Sequence, residues 1–300
     1  MYYETAGEGH PLVLLHDGLL DGRSWDYQFE AFSESYKTIR YDVRGHGGSE
    51  RPDGEFSHVD DLHALLGFLD VERAHLLGAS NGGRIAVDFA LENLGMVSSL
   101  ILVGPSLSGY RFSDEKRRRI SDIFSAAREE DPQKWAEMWL DDPFWAPDRK
   151  HTAARRRLQK LLIEAFYSFS RASGSRERQD CAATEKLSEI NAPTLIMIGE
   201  RDDPDNHAIA DLLELSIPGA EKVVVPDAAH MLNLEKPEEF TSSCCASWKV
   251  EKRRRRGERR PERAMTEYRR PAAREGADTP PSYFSRPGFG KRACAAKHRS

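Results

Sequence analysis

Short uninterrupted apolar runs alternate along the chain with longer stretches in which apolar residues recur at helical spacing. Residues 11–15 (PLVLL), 38–42 (TIRYD), 74–77, 99–103, 193–198 and 222–225 have the length and composition of strands buried on both faces. Between them, residues 25–32, 59–69, 83–94 and 207–215 carry apolar positions three and four apart. Strand and helix in alternation predict an α/β fold, a mostly parallel, doubly wound sheet covered on both faces. In such sheets ligands bind at the carboxyl edge, so polar residues that directly follow strands are the candidates for chemistry.

The alternation breaks between Pro105 and Asn191. That span is charged, helix-rich and aromatic (Trp135, Trp139, Phe144, Trp145, Phe166, Tyr167, Phe169), and it predicts a helical cap inserted over the carboxyl edge, residues 105–191. Most of its aromatics would pack the cap on the body; one or two facing a pocket would define an apolar substrate site. The core is then residues 1–104 and 192–245. After Phe240 the pattern collapses, and from residue 251 onward there is no Leu, Ile or Val. A stretch so poor in aliphatic side chains cannot offset its ordering entropy, so residues 246–300 are expected to form a disordered Arg-rich tail.

Charge sharpens this division. Residues 246–300 hold 17 Lys and Arg beside 6 acids, a net +11, which leaves the body at −16 within a whole-chain charge of −5. An acidic body argues against a nucleic-acid-binding domain and for a small-molecule partner. A frameshifted reading of a GC-rich gene would produce a tail of this composition. With 300 residues a sizeable core is available and a disulfide-stapled miniature is excluded. No apolar run approaches the length of a membrane span, and the opening Met1-Tyr2-Tyr3-Glu4 lacks the features of a signal peptide, which predicts a cytoplasmic protein. Cys181, Cys244, Cys245 and Cys294 show no metal-ligand spacing and are expected to be reduced thiols.

The sharpest chemical signal is AHLLGASNGGRIA, residues 74–86: a strand runs into Gly78-x-Ser80-x-Gly82 and directly into a helix. A turn that tight leaves no room for side chains two residues either side of the serine, and it throws the hydroxyl out at the sheet edge. The following helix offers unpaired N–H groups to developing negative charge. A serine hydroxyl needs a base and the base needs an orienting acid. His230 follows the run KVVVP; His16 also follows a strand but stands where it would orient a loop. The acid comes from Glu200, Asp202 or Asp203, all delivered by the strand at 193–198.

These motifs resemble the α/β-hydrolase superfamily, in the branch of small esterases, enol-lactone hydrolases and cofactor-free haloperoxidases. The family's chain order of serine, acid and histidine implies a triad of Ser80, Asp202 in GERD, and His230 in AAHMLNLEKPEEF. LVLLHDGLLDGRSWDYQ resembles the family's oxyanion loop, which implies that Gly18 donates one N–H and Asn81 the other, with Gly78 and Gly82 supporting the elbow. RYDVRGHGGSERPDG resembles the loop that buttresses the site. The resemblance covers residues 1 to about 242. It implies hydrolysis of a small carboxylic ester or lactone through an acyl-enzyme, with no metal or organic cofactor. Carbon–carbon bond hydrolysis and acyl transfer remain open on the same triad, as does a catalytically silent receptor; a nucleic-acid role through residues 249–299 is a further alternative.

Three positions depart from the family pattern. Asp17 stands where the family usually has glycine or alanine, and its side chain is expected to point outward. Tyr2-Tyr3-Glu4 resembles the family's second strand, so the family's first edge strand is expected to be absent or vestigial. The amphipathic helix that follows a PEEF-like string in the family is expected to be missing, replaced by the Arg-rich tail.

Overall fold

The apolar runs become strands in a computed structural model that describes residues 1–126, 131–169, 176–178 and 182–255. Among the described residues the strands are β1 (Tyr3–Ala6), β2 (Pro11–Leu15), β3 (Lys37–Tyr41), β4 (Glu55–Phe56), β5 (Ala74–Ala79), β6 (Val97–Val103), β7 (Arg176–Glu177), β8 (Thr194–Gly199) and β9 (Glu221–Val225). Seven of them make one sheet in the order β1-β3-β2-β5-β6-β8-β9, parallel except at the edge, where β1 runs antiparallel to β3 with Tyr3 opposite Tyr41. β4 and β7 pair separately.

The helices are α1 (Asp26–Ser33), α2 (His58–Phe68), α3 (Asn81–Glu92), α4 (Asp114–Ala126), α5 (Pro132–Asp141), α6 (Thr152–Phe169), α7 (Pro204–Ser216), the one-turn α8 (Leu232–Glu235) and α9 (Pro237–Arg255). Local chemistry sets several starts. Ser57 caps α2 by accepting from Asp60 N at 3.2 Å. Asp131 and Asp203 cap α5 and α7, each followed by proline at the first helical position, where the missing N–H costs nothing.

Alternation along the strands divides the core in two. Val13, Leu15, Leu76, Leu100, Leu102, Ile196 and Ile198 face α2, α3 and α7. Their neighbours Leu12, Leu14, Leu77, Ile101, Val103, Leu195 and Met197 face α1 and α9. A strand buried on both faces therefore reads as a continuous apolar run, and each such side chain contributes about 1.5–3 kcal/mol by burial.

The chain's end differs from expectation. The helix that the sequence suggested was missing is α9, which extends to Arg255 and takes in residues 246–255 of the expected tail. Phe240, Cys244 and Trp248 fall four apart on one face and pack against Trp25, Phe32 and Tyr36. Large aromatics on one stripe are enough to dock a helix whose mean hydropathy is low. Residues 256–300, including Cys294, lie outside the described residues, as does Cys181; Cys244 and Cys245 form no disulfide. No described helix is long and apolar enough to cross a membrane.

Helices α4, α5 and α6 fall between β6 and β8. Their own apolar cluster joins Trp135, Trp139, Leu158 and Phe166 to Leu19 and Leu20 after β2 and to Met231 and Leu234 after β9. Ala183, Leu187 and Ile190, inside the span assigned to the cap, pack instead with the sheet cluster under α7.

Candidate active site

Ser80 sits at the junction of β5 and α3 with φ 50° and ψ −112°, a conformation that L residues rarely adopt and that costs about 1–3 kcal/mol. Its backbone is pinned: the N–H donates to Val103 O at 2.9 Å, and the carbonyl accepts from Arg84 N and Ser106 N. A Cβ on Gly78 would lie 2.3 Å from Gly82 O, and one on Gly82 would lie 2.3 Å from Leu15 O, so both glycines are required by close backbone approach. Ser80 Oγ has no hydrogen-bond partner among the described residues and opens on a cavity of about 360 Å³.

His230 and Asp202 reach the same cavity from the loops after β9 and β8. The imidazole Nδ1 donates to Asp202, with Oδ2 at 2.9 Å and Oδ1 at 3.0 Å. Burial alone would lower the histidine pKa; the charge and hydrogen bond of Asp202 outweigh it and raise the pKa above the ordinary value, with Lys116 opposing. With Nδ1–H committed to Asp202, Nε2 keeps its lone pair in the neutral ring. Asp202 Oδ1 also accepts from Asp203 N and from Asn206 Nδ2, both at 2.7 Å. Of the three acids left open by the sequence, Asp202 alone bonds His230; Asp203 caps α7, and Glu200 accepts from Asp227 N.

Gly18 and Asn81 lie side by side, so a Cβ on Gly18 would be 3.3 Å from that of Asn81. Neither backbone N–H has an acceptor among the described residues. His16 holds the loop that carries Gly18: Nδ1 donates to Asp17 O at 2.6 Å while Nε2 accepts from Val43 N at 3.0 Å. Burial, with His46 nearby, lowers its pKa to about 3, which keeps it neutral in that tautomer. His46, in the loop after β3, places Nε2 3.1 Å from Gly18 O.

Asp17 does not point outward. The residue is 2% exposed, it lines the cavity, and Oδ1 accepts from Leu19 N at 2.7 Å and Leu20 N at 3.1 Å. Bonding to the second and third residues ahead is the habit of aspartate in turns, and here it folds the carboxyl into the protein.

Several further groups acquire a role only through contacts across the chain. Gly104, after β6 with φ 47°, leaves room for the dyad: a Cβ there would lie 2.8 Å from both His230 Nδ1 and Asp202 Oδ2. Asn206 links the dyad to the cap, since its Oδ1 accepts from Lys116 Nζ at 2.5 Å. Arg119 of α4 donates to Asp142 at 2.8 Å and to Asp203, and stacks over Phe144. The His230 loop is bonded to the cap by its backbone, His230 N to Phe144 O at 2.9 Å and Met231 N to Trp145 O at 3.3 Å. The buried Glu235 carboxylate accepts from Ala229 N, Asp148 N and Arg201. Gly104, Lys116, Arg119 and Asn206 fall in no chemically marked string, and Glu235, though inside AAHMLNLEKPEEF, matters only through partners distant in the chain.

From the cap, Phe112, Phe124, Trp139, Phe144 and Trp145 give the cavity an apolar wall, while Trp135 and Phe166 pack inside the cap. Tyr167 is exposed, and Phe169 lies where side chains are not described. Among the described residues no group of three His, Cys, Asp or Glu side chains could hold a metal ion.

A parallel sheet with a serine elbow, a His–Asp pair at its carboxyl edge and a helical cap defines a class of hydrolase. The chain belongs to the α/β hydrolase family, whose model matches residues 12–242. It is 29% identical over 247 residues to the pimeloyl-[acyl-carrier protein] methyl ester esterase of Aliivibrio salmonicida, covering 80% of this chain and 92% of that protein. It is 26% identical over 237 residues to 3-oxoadipate enol-lactonase 1 of Acinetobacter baylyi, covering 78% and 86%. Among solved structures it is similar to Est816, described as an N-acyl homoserine lactone degrading enzyme, with 28% identity, a TM-score of 0.65, and coverage of 81% of this chain and 95% of that one.

Proposed function

We propose that the protein is a serine hydrolase that cleaves a small, uncharged carboxylic ester or lactone through an acyl-enzyme. The observation that carries this reading is the His230–Asp202 bond at the cavity onto which the strained Ser80 elbow opens. His230 Nε2 takes the Ser80 proton as Oγ attacks the carbonyl carbon, Asp202 fixes the imidazole tautomer, and the N–H groups of Gly18 and Asn81 hold the oxyanion. The protonated His230 then gives its proton to the leaving alkoxide. Water repeats the sequence on the acyl-enzyme and frees Ser80. Relatives that are named for a methyl ester, an enol-lactone and an acyl lactone support the substrate class.

The lining argues for an uncharged substrate. Its two cations are already engaged, Lys116 by Asn206 and Asp203 and Arg119 by Asp142 and Asp203, so an anionic substrate would meet acids without a spare cation. Labelling with a fluorophosphonate, followed by mass-spectrometric mapping, tests the nucleophile. The adduct is expected on Ser80 and absent from Ser80→Ala; an adduct on another residue, with ester hydrolysis surviving in Ser80→Ala, would refute the reading.

A further inference from the structure

Two polar atoms of the cavity lining take no part in the serine chemistry. Asp17 Oδ2 and Trp139 Nε1 are buried, belong to residues that line the cavity, and have no hydrogen-bond partner among the described residues. A buried polar atom without a partner costs about 1–3 kcal/mol, a cost removed when a ligand supplies one. Trp139 Nε1 can only donate.

The bonding around Asp17 fixes what its free oxygen can be. Oδ1 already takes two backbone donors, Leu19 N and Leu20 N, so in the neutral acid the proton belongs on Oδ2. Burial pushes this carboxyl above the ordinary carboxylate range, against the opposing pull of the two backbone donors and of His230 and His46, which face it from the loops after β9 and β3. The cavity's cations, Lys116 and Arg119, are spent on Asp203, Asp142 and Asn206. A proton also removes a conflict, since an ionised Asp17 beside Gly18 would oppose charge developing on the scissile oxygen.

We propose that Asp17 is a specificity-determining residue that donates a hydrogen bond from Oδ2 to an uncharged acceptor oxygen of the substrate. Asp17 directly precedes Gly18, and adjacent Cα atoms are about 3.8 Å apart, so the oxygen it reads lies a few bonds from the scissile carbonyl. The preferred substrates are therefore esters or lactones that carry a second, neutral oxygen as hydroxyl, ether or ketone. This rests on the serine-hydrolase reading.

The test is kcat/KM for matched pairs differing by one such oxygen: methyl 3-hydroxybutanoate against methyl butanoate, and 2-methoxyethyl butanoate against butyl butanoate. Comparing the ratio within a pair across variants cancels the intrinsic reactivity of the esters. In at least one pair the ratio is expected to fall about tenfold from wild type to Asp17→Ala, the size of one net hydrogen bond. It should stay within about twofold in Asp17→Asn, whose amide keeps both the Oδ1 acceptor and a donor in place of Oδ2–H. If the alanine variant does not fold, Asp17→Ser takes its place, because its hydroxyl can still accept from the loop while lacking the second oxygen, and the same fall is expected. A ratio unchanged by removal of the carboxyl, or lost equally in Asp17→Asn, overturns the proposal while hydrolysis of the plain esters leaves the parent reading standing. Failure to hydrolyse any ester overturns both.

Discussion

Gly104→Ala is a perturbation whose consequence can be worked from distances. The added Cβ would lie 2.8 Å from His230 Nδ1 and from Asp202 Oδ2, about 0.6 Å inside ordinary van der Waals contact at 3.4 Å. Something must give, and the dyad is what stands there. The residue also has φ 47°, which costs about 1–2 kcal/mol for a side chain with a Cβ. A full 1 Å misplacement of a catalytic group can cost about 10²-fold, so a shift of half that predicts roughly a tenfold loss in kcat. KM should change little, because Gly104 does not line the cavity. The pH profile should move as well: Asp202 holds the His230 pKa up against burial, so loosening their bond lowers the midpoint of the rising limb. The assay is kcat and KM for a short-chain nitrophenyl ester from about pH 5 to pH 9, with stability measured by urea unfolding. A wild-type kcat with an unmoved midpoint would refute the reasoning.

In the wild type the rate is expected to rise with pH through a midpoint above the reference histidine value of 6.5, because the base must be neutral and its pKa is raised; a flat profile with chemistry rate-limiting contradicts this. Asp202→Asn should cost about 10⁴-fold in kcat through the wrong tautomer. Asp203→Asn should chiefly reduce stability, since Asp203 caps α7 and pairs with Lys116 and Arg119; equal losses of kcat in the two variants would undo the assignment. Trp248→Ala should destabilise the fold by about 3–5 kcal/mol in urea unfolding while leaving turnover per folded molecule intact. An unchanged unfolding midpoint would mean that α9 does not hold the face of the sheet formed with Phe32 and Tyr36.

The strands of the sheet are legible in the sequence because burial on both faces turns each into an unbroken apolar run, as at Pro11–Leu15. Ser80, Asp202 and His230 are legible as residues directly after strands, and parallel strands deliver such residues to one edge. The rest depends on who meets whom across the chain. Asp17 turns inward because two backbone N–H groups ahead of it need an acceptor, a turn signal that its place in a family motif obscured. Phe240, Cys244 and Trp248 are four apart, yet the basic run that follows dilutes that short stripe in the composition of the segment. Gly104 carries no side chain to attract notice, and its importance exists only once His230 and Asp202 are beside it.

The two backbone bonds from His230 and Met231 to Phe144 and Trp145 tie the His230 loop to the segment that supplies two of the wall's aromatics. The shape of the cavity wall and the position of the imidazole are thus inherited as one piece. A chimera that exchanged the whole cap with a relative's would replace the segment whose carbonyls seat the histidine loop, so turnover and selectivity would change together. Grafts that end before Asp142 and resume after Asp148 keep that seam, and with it Asp148 N on Glu235. Residues on α4 and α5 that line the cavity, such as Ile120 or Trp139, are then the positions at which a library can reshape the wall without unseating His230.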